Sequence, residues 1–260
     1  MKDSVKRFQV EKISDRRREA EETFIIAEKP VTLFLNDQEV VTLLATPENL
    51  KELAVGFMLS EGWLRQDKPI EKIEVNPEGL VRVRVNYRPP LTAKLFLKRT
   101  ITSGCGRGTI FYSVVDSLGA KKIRSATKIS PAQIWGLMQG LSHHSTLYRM
   151  SGSVHGAALA EKQRIRIFCE DIGRHNAVDK VMGAAFLQKI SPEGKILLTS
   201  GRISSEIMTK AIKRRIPFLF SYSGPTDLAV DIARQVGVTL IGYIRGTKMR
   251  IYSHGERITP

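Results

Sequence analysis

Apolar and polar residues alternate from Phe24 to Leu44 in two runs separated by Asn36-Asp37-Gln38, which predicts two strands joined by a turn. Thr46-Pro47-Glu48 then opens a helix, with Thr46 as N-cap, Pro47 at the first position and Leu50, Leu53, Ala54, Phe57 and Met58 on one face. Gly62 is its expected stop. Alternation returns from Ile70 to Tyr87, strongest in Leu80-Val81-Arg82-Val83-Arg84-Val85, with a turn at Asn76-Pro77-Glu78-Gly79. Residues 1–23 show no such pattern and read as a polar, frayed arm.

The pattern changes further along the chain. Ser130-Pro131 starts a helix that runs to about Leu141, and His155 to Cys169 reads as a hairpin turning near Glu161-Lys162-Gln163. Asn176–Lys189 is a helix. It is followed by strand Lys195–Thr199, helix Ser205–Arg214, strand Pro217–Tyr222, helix Thr226–Val236 and strand Val238–Ile244. Strands alternating with short helices indicate a layered α/β domain with a largely parallel sheet. The arm of residues 1–23 is thus followed by a small α+β domain over 24–98 and an α/β domain over 99–260, with the seam near Arg88-Pro89-Pro90. The fold class is α/β, or α+β for the whole chain.

A chain of 260 residues, 42% hydrophobic and 26% charged, has the composition of a folded globular protein. No apolar run approaches the roughly 18 residues of a membrane span. Met1 to Glu22 has no apolar segment of the kind a secretory signal needs. Two cysteines, Cys105 and Cys169, exclude a disulfide scaffold and a four-cysteine zinc site, and point to a reducing cytoplasm. Charge adds more once it is located. Of the net +15, the stretch after Thr100 holds 23 basic and ten acidic residues, which suggests a site for something anionic. Nucleic acid is set aside, because these basic residues are tied to turns and do not form a stripe; Lys213-Arg214-Arg215 is a small exception.

Candidate chemistry lies in the loops. Cys105 sits in Thr102-Ser103-Gly104-Cys105-Gly106-Arg107-Gly108-Thr109, where glycines let the backbone approach a partner and Arg107 favours the nucleophilic thiolate. Cys169, in the apolar run Ile165-Arg166-Ile167-Phe168-Cys169, reads as a buried small hydrophobe. Glu170-Asp171-Ile172-Gly173-Arg174-His175-Asn176 and Thr199-Ser200-Gly201-Arg202-Ile203-Ser204-Ser205 are strand-to-helix turns, each with an Arg at a helix entrance that favours an anion. Tyr243-Ile244-Arg245-Gly246-Thr247-Lys248 ends another strand in the same style. His143-His144 lack a clustered third ligand, so no metal site is expected. The sequence leaves open whether His155, His175, Arg174 and Arg202 contact a ligand or support their loops.

Taken together, Gly173-Arg174-His175-Asn176-Ala177-Val178-Asp179-Lys180, Ser200-Gly201-Arg202, Tyr243 to Arg250 and Ser151 to Leu159 resemble the FdhD family of formate dehydrogenase accessory sulfurtransferases, over nearly the whole chain after about residue 20. The resemblance implies a cytidine-deaminase-like three-layer α/β domain. A deaminase places a His or Cys with a Glu on one helix and Pro-Cys-x-x-Cys on the next. The helix entrances here read Gly-Arg-His-Asn and Ser-Gly-Arg-Ile-Ser-Ser, so zinc-dependent deamination is excluded and phosphate is the expected ligand.

The resemblance further implies a sulfur carrier. A cysteine desulfurase would pass persulfide sulfur to Cys105, and the carrier would deliver it to the molybdenum cofactor, bis-molybdopterin guanine dinucleotide, of formate dehydrogenase. Tyr243, Ile244, Arg245, Gly246, Thr247 and Lys248 match the family's segment for that polyanionic cofactor, and a homodimer is implied. One departure stands out: Gly108 occupies the position where the family commonly has a second cysteine, so any thiol that resolves the persulfide is external. The competing reading is a cofactor-binding chaperone that moves no sulfur.

Overall fold

The computed structural model describes residues 4–15, 17–89 and 122–259. Its first element corrects the frayed arm: β1 (Val5–Ser14) and β2 (Arg17–Ile26) form an antiparallel two-stranded ribbon. Arg7–Glu22, Lys12–Glu21 and Arg18–Glu11 pair diagonally across it at 3.3, 2.9 and 3.3 Å. Both faces of the ribbon are largely wet, so its strands carry no apolar period for a sequence reading to detect.

A four-stranded sheet follows, in the order β4-β3-β6-β5. Strands β3 (Lys29–Leu35) and β4 (Gln38–Ala45) join through Asn36 and Asp37 at φ 48° and 65°, the paired positive values that suit a tight hairpin. β5 (Lys72–Val75) and β6 (Leu80–Arg84) form the second hairpin, and β6 pairs parallel to β3. Helix α1 (Leu50–Glu61) covers one face, packing Leu53, Phe57 and Met58 on Val31, Leu33, Val81 and Val83. It stops at Gly62 (φ 80°) as expected. Its start differs from the expectation. The N-cap is Asn49 in a left-handed conformation, and Thr46, fully buried, bonds to the second domain instead.

The second sheet has six strands in the order β12-β11-β10-β9-β7-β8. They are β7 (His155–Glu161), β8 (Arg164–Asp171), β9 (Ile196–Thr199), β10 (Phe218–Ser221), β11 (Thr239–Arg245) and β12 (Lys248–Ser253). The parallel part is β9-β10-β11, while β7 and β12 run antiparallel to their neighbours. Helix α2 (Pro131–His144), opened by a Ser130–Gln133 capping box, packs on one face. Helices α4 (Arg174–Leu187), α5 (Ser205–Lys213) and α6 (Asp227–Val236) pack on the other, which makes three layers. A short helix α3 (Thr146–Ser151) and strand β12 were not expected. β12 is an edge strand on which even Ile251 is exposed, so its pattern carried little signal.

The domains meet where α1 crosses α4. A Cβ on Gly56 would lie 1.8 Å from the Asp179 carbonyl oxygen, and one on Gly183 would lie 1.9 Å from that of Glu52, so only glycine fits at either position. Around this crossing Ser60 Oγ donates to Asp179 at 2.8 Å, Lys210 pairs with the same carboxylate, and Phe186 of α4 reaches the small domain's core.

Candidate anion site

One end of the six-stranded sheet collects the ends of β8, β9, β10 and β11 and the start of β7. His155, first in β7, lies opposite Asp171, last in β8. The helix entrance that follows β8 is unlike its neighbours. Ser130, Ser204 and Thr226 cap α2, α5 and α6 with side-chain oxygens, whereas Gly173 offers α4 none. Gly173 N–H itself donates to Asp171 Oδ1 at 2.8 Å. The N–H groups of the first turn of α4 have no acceptor within the helix and point toward the sheet end.

Arg174 leads this turn, and its Nε is buried without a hydrogen-bond partner. Burial, and then Arg202 nearby, lowers its pKa. The turn after β9 is shaped to admit it. A Cβ on Gly201 would fall 2.8 Å from Arg174 Cβ and 3.4 Å from His155 Nδ1, so the glycine of Ser200-Gly201-Arg202 lets the two side chains converge. Ser200 Oγ accepts from Gly156 N–H at 3.0 Å and lies 3.2 Å from His155 Nδ1. The Ser200 hydroxyl thereby ties the His155 ring to the start of β7 and to the turn after β9. Burial and Arg174 lower the His155 pKa.

His175 looks toward α5. Its Nε2 lies 3.1 Å from Ser204 Oγ and 3.2 Å from Glu206 Oε2. Burial, Lys210 and Arg174 push its pKa down to about 3, so the contact to Glu206 is a hydrogen bond from a neutral ring at pH 7. This end of the sheet has cationic arginines, neutral imidazoles and an open helix entrance. Those groups favour a phosphate or other oxyanion.

The turns are bonded into one surface. Ser221 Oγ donates to the Gly201 carbonyl at 2.7 Å and Ile203 N–H to that of Gly224 at 3.1 Å. Tyr243 lies across Gly224, where a Cβ would fall 2.8 Å from its ring, and Arg250 stacks on it at 4.7 Å. Tyr243 takes φ 51° at a break in the β11–β12 register. The turn that follows joins an antiparallel hairpin and leads into no helix, which corrects the style assigned to it. Arg245, Gly246, Thr247 and Lys248 are exposed at its tip. Ile244 is 1% exposed within the core, so the structure does not bring it to the surface with Tyr243 and the tip.

Cys169 is 3% exposed, and burial pushes its thiol up to about 12, which leaves it inert at neutral pH. Cys105 and its loop lie outside the described residues. Among the described residues no three His, Cys, Asp or Glu side chains cluster as metal ligands would. Sequence reasoning missed Asp171, Asp179 and Lys180 as the buried polar frame of the site. Charged residues at 179 and 180 within the otherwise apolar run Ala177–Ala185 were the available signal.

Residues 26–259 match the sequence profile of the FdhD/NarQ family. The chain is 38% identical to the sulfur carrier protein FdhD of Bacillus subtilis (strain 168), over 96% of its own length and 93% of the relative's. It is 36% identical to the protein of that name from Wolinella succinogenes, over 98% and 89%. A crystal structure described as that of a formate dehydrogenase accessory protein from Desulfotalea psychrophila superposes with a TM-score of 0.79 at 24% identity, covering 98% of this chain and 99% of that one.

Proposed function

Because the chain belongs to the FdhD/NarQ family, we propose that it is a sulfur carrier for formate dehydrogenase maturation, with Cys105 as the carrier and the molybdenum cofactor as the acceptor. In the first step the Cys105 thiolate attacks the outer sulfur of a desulfurase persulfide. The donor's S–S bond breaks, its cysteine leaves as thiolate, and Cys105 becomes the persulfide. In release, an external thiol attacks Cys105 Sγ, forms a mixed disulfide and frees the terminal sulfur as sulfide. Gly108 makes that thiol external. Arg174, His155 and Arg202 would hold the phosphates of the acceptor substrate, bis-molybdopterin guanine dinucleotide, and Tyr243 and the Arg245–Lys248 tip would contact the rest of it.

The observation that carries the acceptor reading is Arg174, whose buried Nε lacks a partner beside an uncapped helix entrance. Thiol chemistry of this kind belongs in the reducing cytoplasm. Among the described residues no helix is long and apolar enough to cross a membrane.

Gly108 also favours a second reading, a chaperone that binds cofactor and moves no sulfur. Intact mass after incubation with a cysteine desulfurase and cysteine separates the two. A gain of about 32 Da, lost on reduction and absent in Cys105→Ala, is expected of the carrier. No gain with an active, bound desulfurase establishes the chaperone.

A further inference from the structure

Asp171 is a fully buried carboxylate whose two oxygens face different domains. Oδ2 lies 2.6 Å from Lys180 Nζ and accepts from Thr46 N–H at 3.2 Å and Thr46 Oγ at 3.1 Å. Thr46 directly follows the β4 strand of the small domain. Oδ1 accepts from Gly173 N–H at 2.8 Å and from Asn176 Nδ2 at 3.0 Å, both at the entrance of α4. Asn176 Nδ2 also donates to the Leu44 carbonyl at 2.9 Å. Lys180, equally buried, adds bonds to Thr46 Oγ at 2.7 Å and to the carbonyls of Thr46 and Glu170, each at 3.2 Å. The Thr46 hydroxyl thus lies against both the ammonium and the carboxylate, which also meet each other directly.

We propose that Asp171 is a positioning residue that transmits the seating of Thr46 in the small domain to the Gly173–Arg174 turn, so that a residue of one domain sets anion affinity in the other. A carboxylate held by Thr46 and Lys180 on one oxygen has one orientation left for the other, and that orientation fixes where the first turn of α4 begins. The inference rests on the anion site proposed above. It adds a reciprocal consequence: a partner that shifts Thr46 changes ligand affinity, and ligand changes affinity for that partner by the same factor.

The test is calorimetric titration with GDP, a guanine diphosphate probe, alongside amide hydrogen exchange at Gly173 without ligand. Thr46→Val removes the hydroxyl at constant size, Thr46→Ser keeps it, and Ser60→Ala weakens the same domain interface away from Asp171. Thr46→Val is expected to lower GDP affinity about tenfold and speed Gly173 exchange. Thr46→Ser restores both, and Ser60→Ala lowers melting temperature without changing affinity. Wild-type affinity in Thr46→Val, or an equal loss in Ser60→Ala, overturns the proposal. Wild-type protein that fails to bind GDP overturns the anion-site reading itself.

Discussion

At pH 7 the rings of His155 and His175 carry no charge, because each is taken out of water beside arginine or lysine groups that oppose a further proton. Positive charge at the sheet end therefore comes from the guanidinium groups of Arg174 and Arg202. For His175 the consequence is a stability effect. Unfolded, its imidazole binds a proton below about 6.5; folded, it does so only near 3. Between those values the unfolded chain holds more protons, so His175's contribution to stability is complete above about 6.5 and is lost as pH falls toward 3. Denaturant titrations of His175→Gln are expected to show a shallower loss than wild type between pH 6.5 and 4, and parallel curves would contradict the buried neutral ring. At this scale the sequence singled out the turns that carry Gly201, Arg174 and Arg202, since Gly and Arg at helix entrances are visible as a string, and left the roles of the two arginines open. It did not reveal Asp171, whose role depends on Thr46 lying 125 positions earlier in the chain.

Elements were legible where their ends carry local chemistry. The Asn36-Asp37 turn, the Ser130, Ser204 and Thr226 caps and the Gly62 stop all lie where their side chains or their freedom at positive φ require. Thr46 looked like a cap by the same logic, but a tertiary demand for its hydroxyl prevailed and α1 begins after Asn49. The ribbon β1–β2 and the edge strand β12 were hidden for a different reason, since neither buries a clean alternating face. No residue pattern announces the α1–α4 crossing either, because its signal is two glycines far apart in the chain. Gly56→Ala is expected to cost about 3 kcal/mol through overpacking, with melting lowered by roughly 10 °C. Retention of wild-type melting would show that the helices can part there.

For the whole molecule, the strand–helix alternation anticipated the layers of the second domain. The β7–β8 hairpin at one edge was legible from its Glu161-Lys162-Gln163 turn, whereas β12 at the other edge and the pairing of β7 with β9 were beyond reach, because neither leaves a local pattern. Another property belongs only to the assembled pair of domains. At Gly56 and Gly183 backbone meets backbone, and a buried network of Ser60, Asp179, Thr46, Asp171 and Lys180 surrounds the contact. Such a joint is a weld and not a hinge, since it holds no side chains at its centre whose rotamers could take up a slide. The two domains are expected to melt in one calorimetric transition, and two resolved peaks would refute the weld. A protein joined this way offers a partner one continuous surface, so a ligand is met without the two domains closing on it.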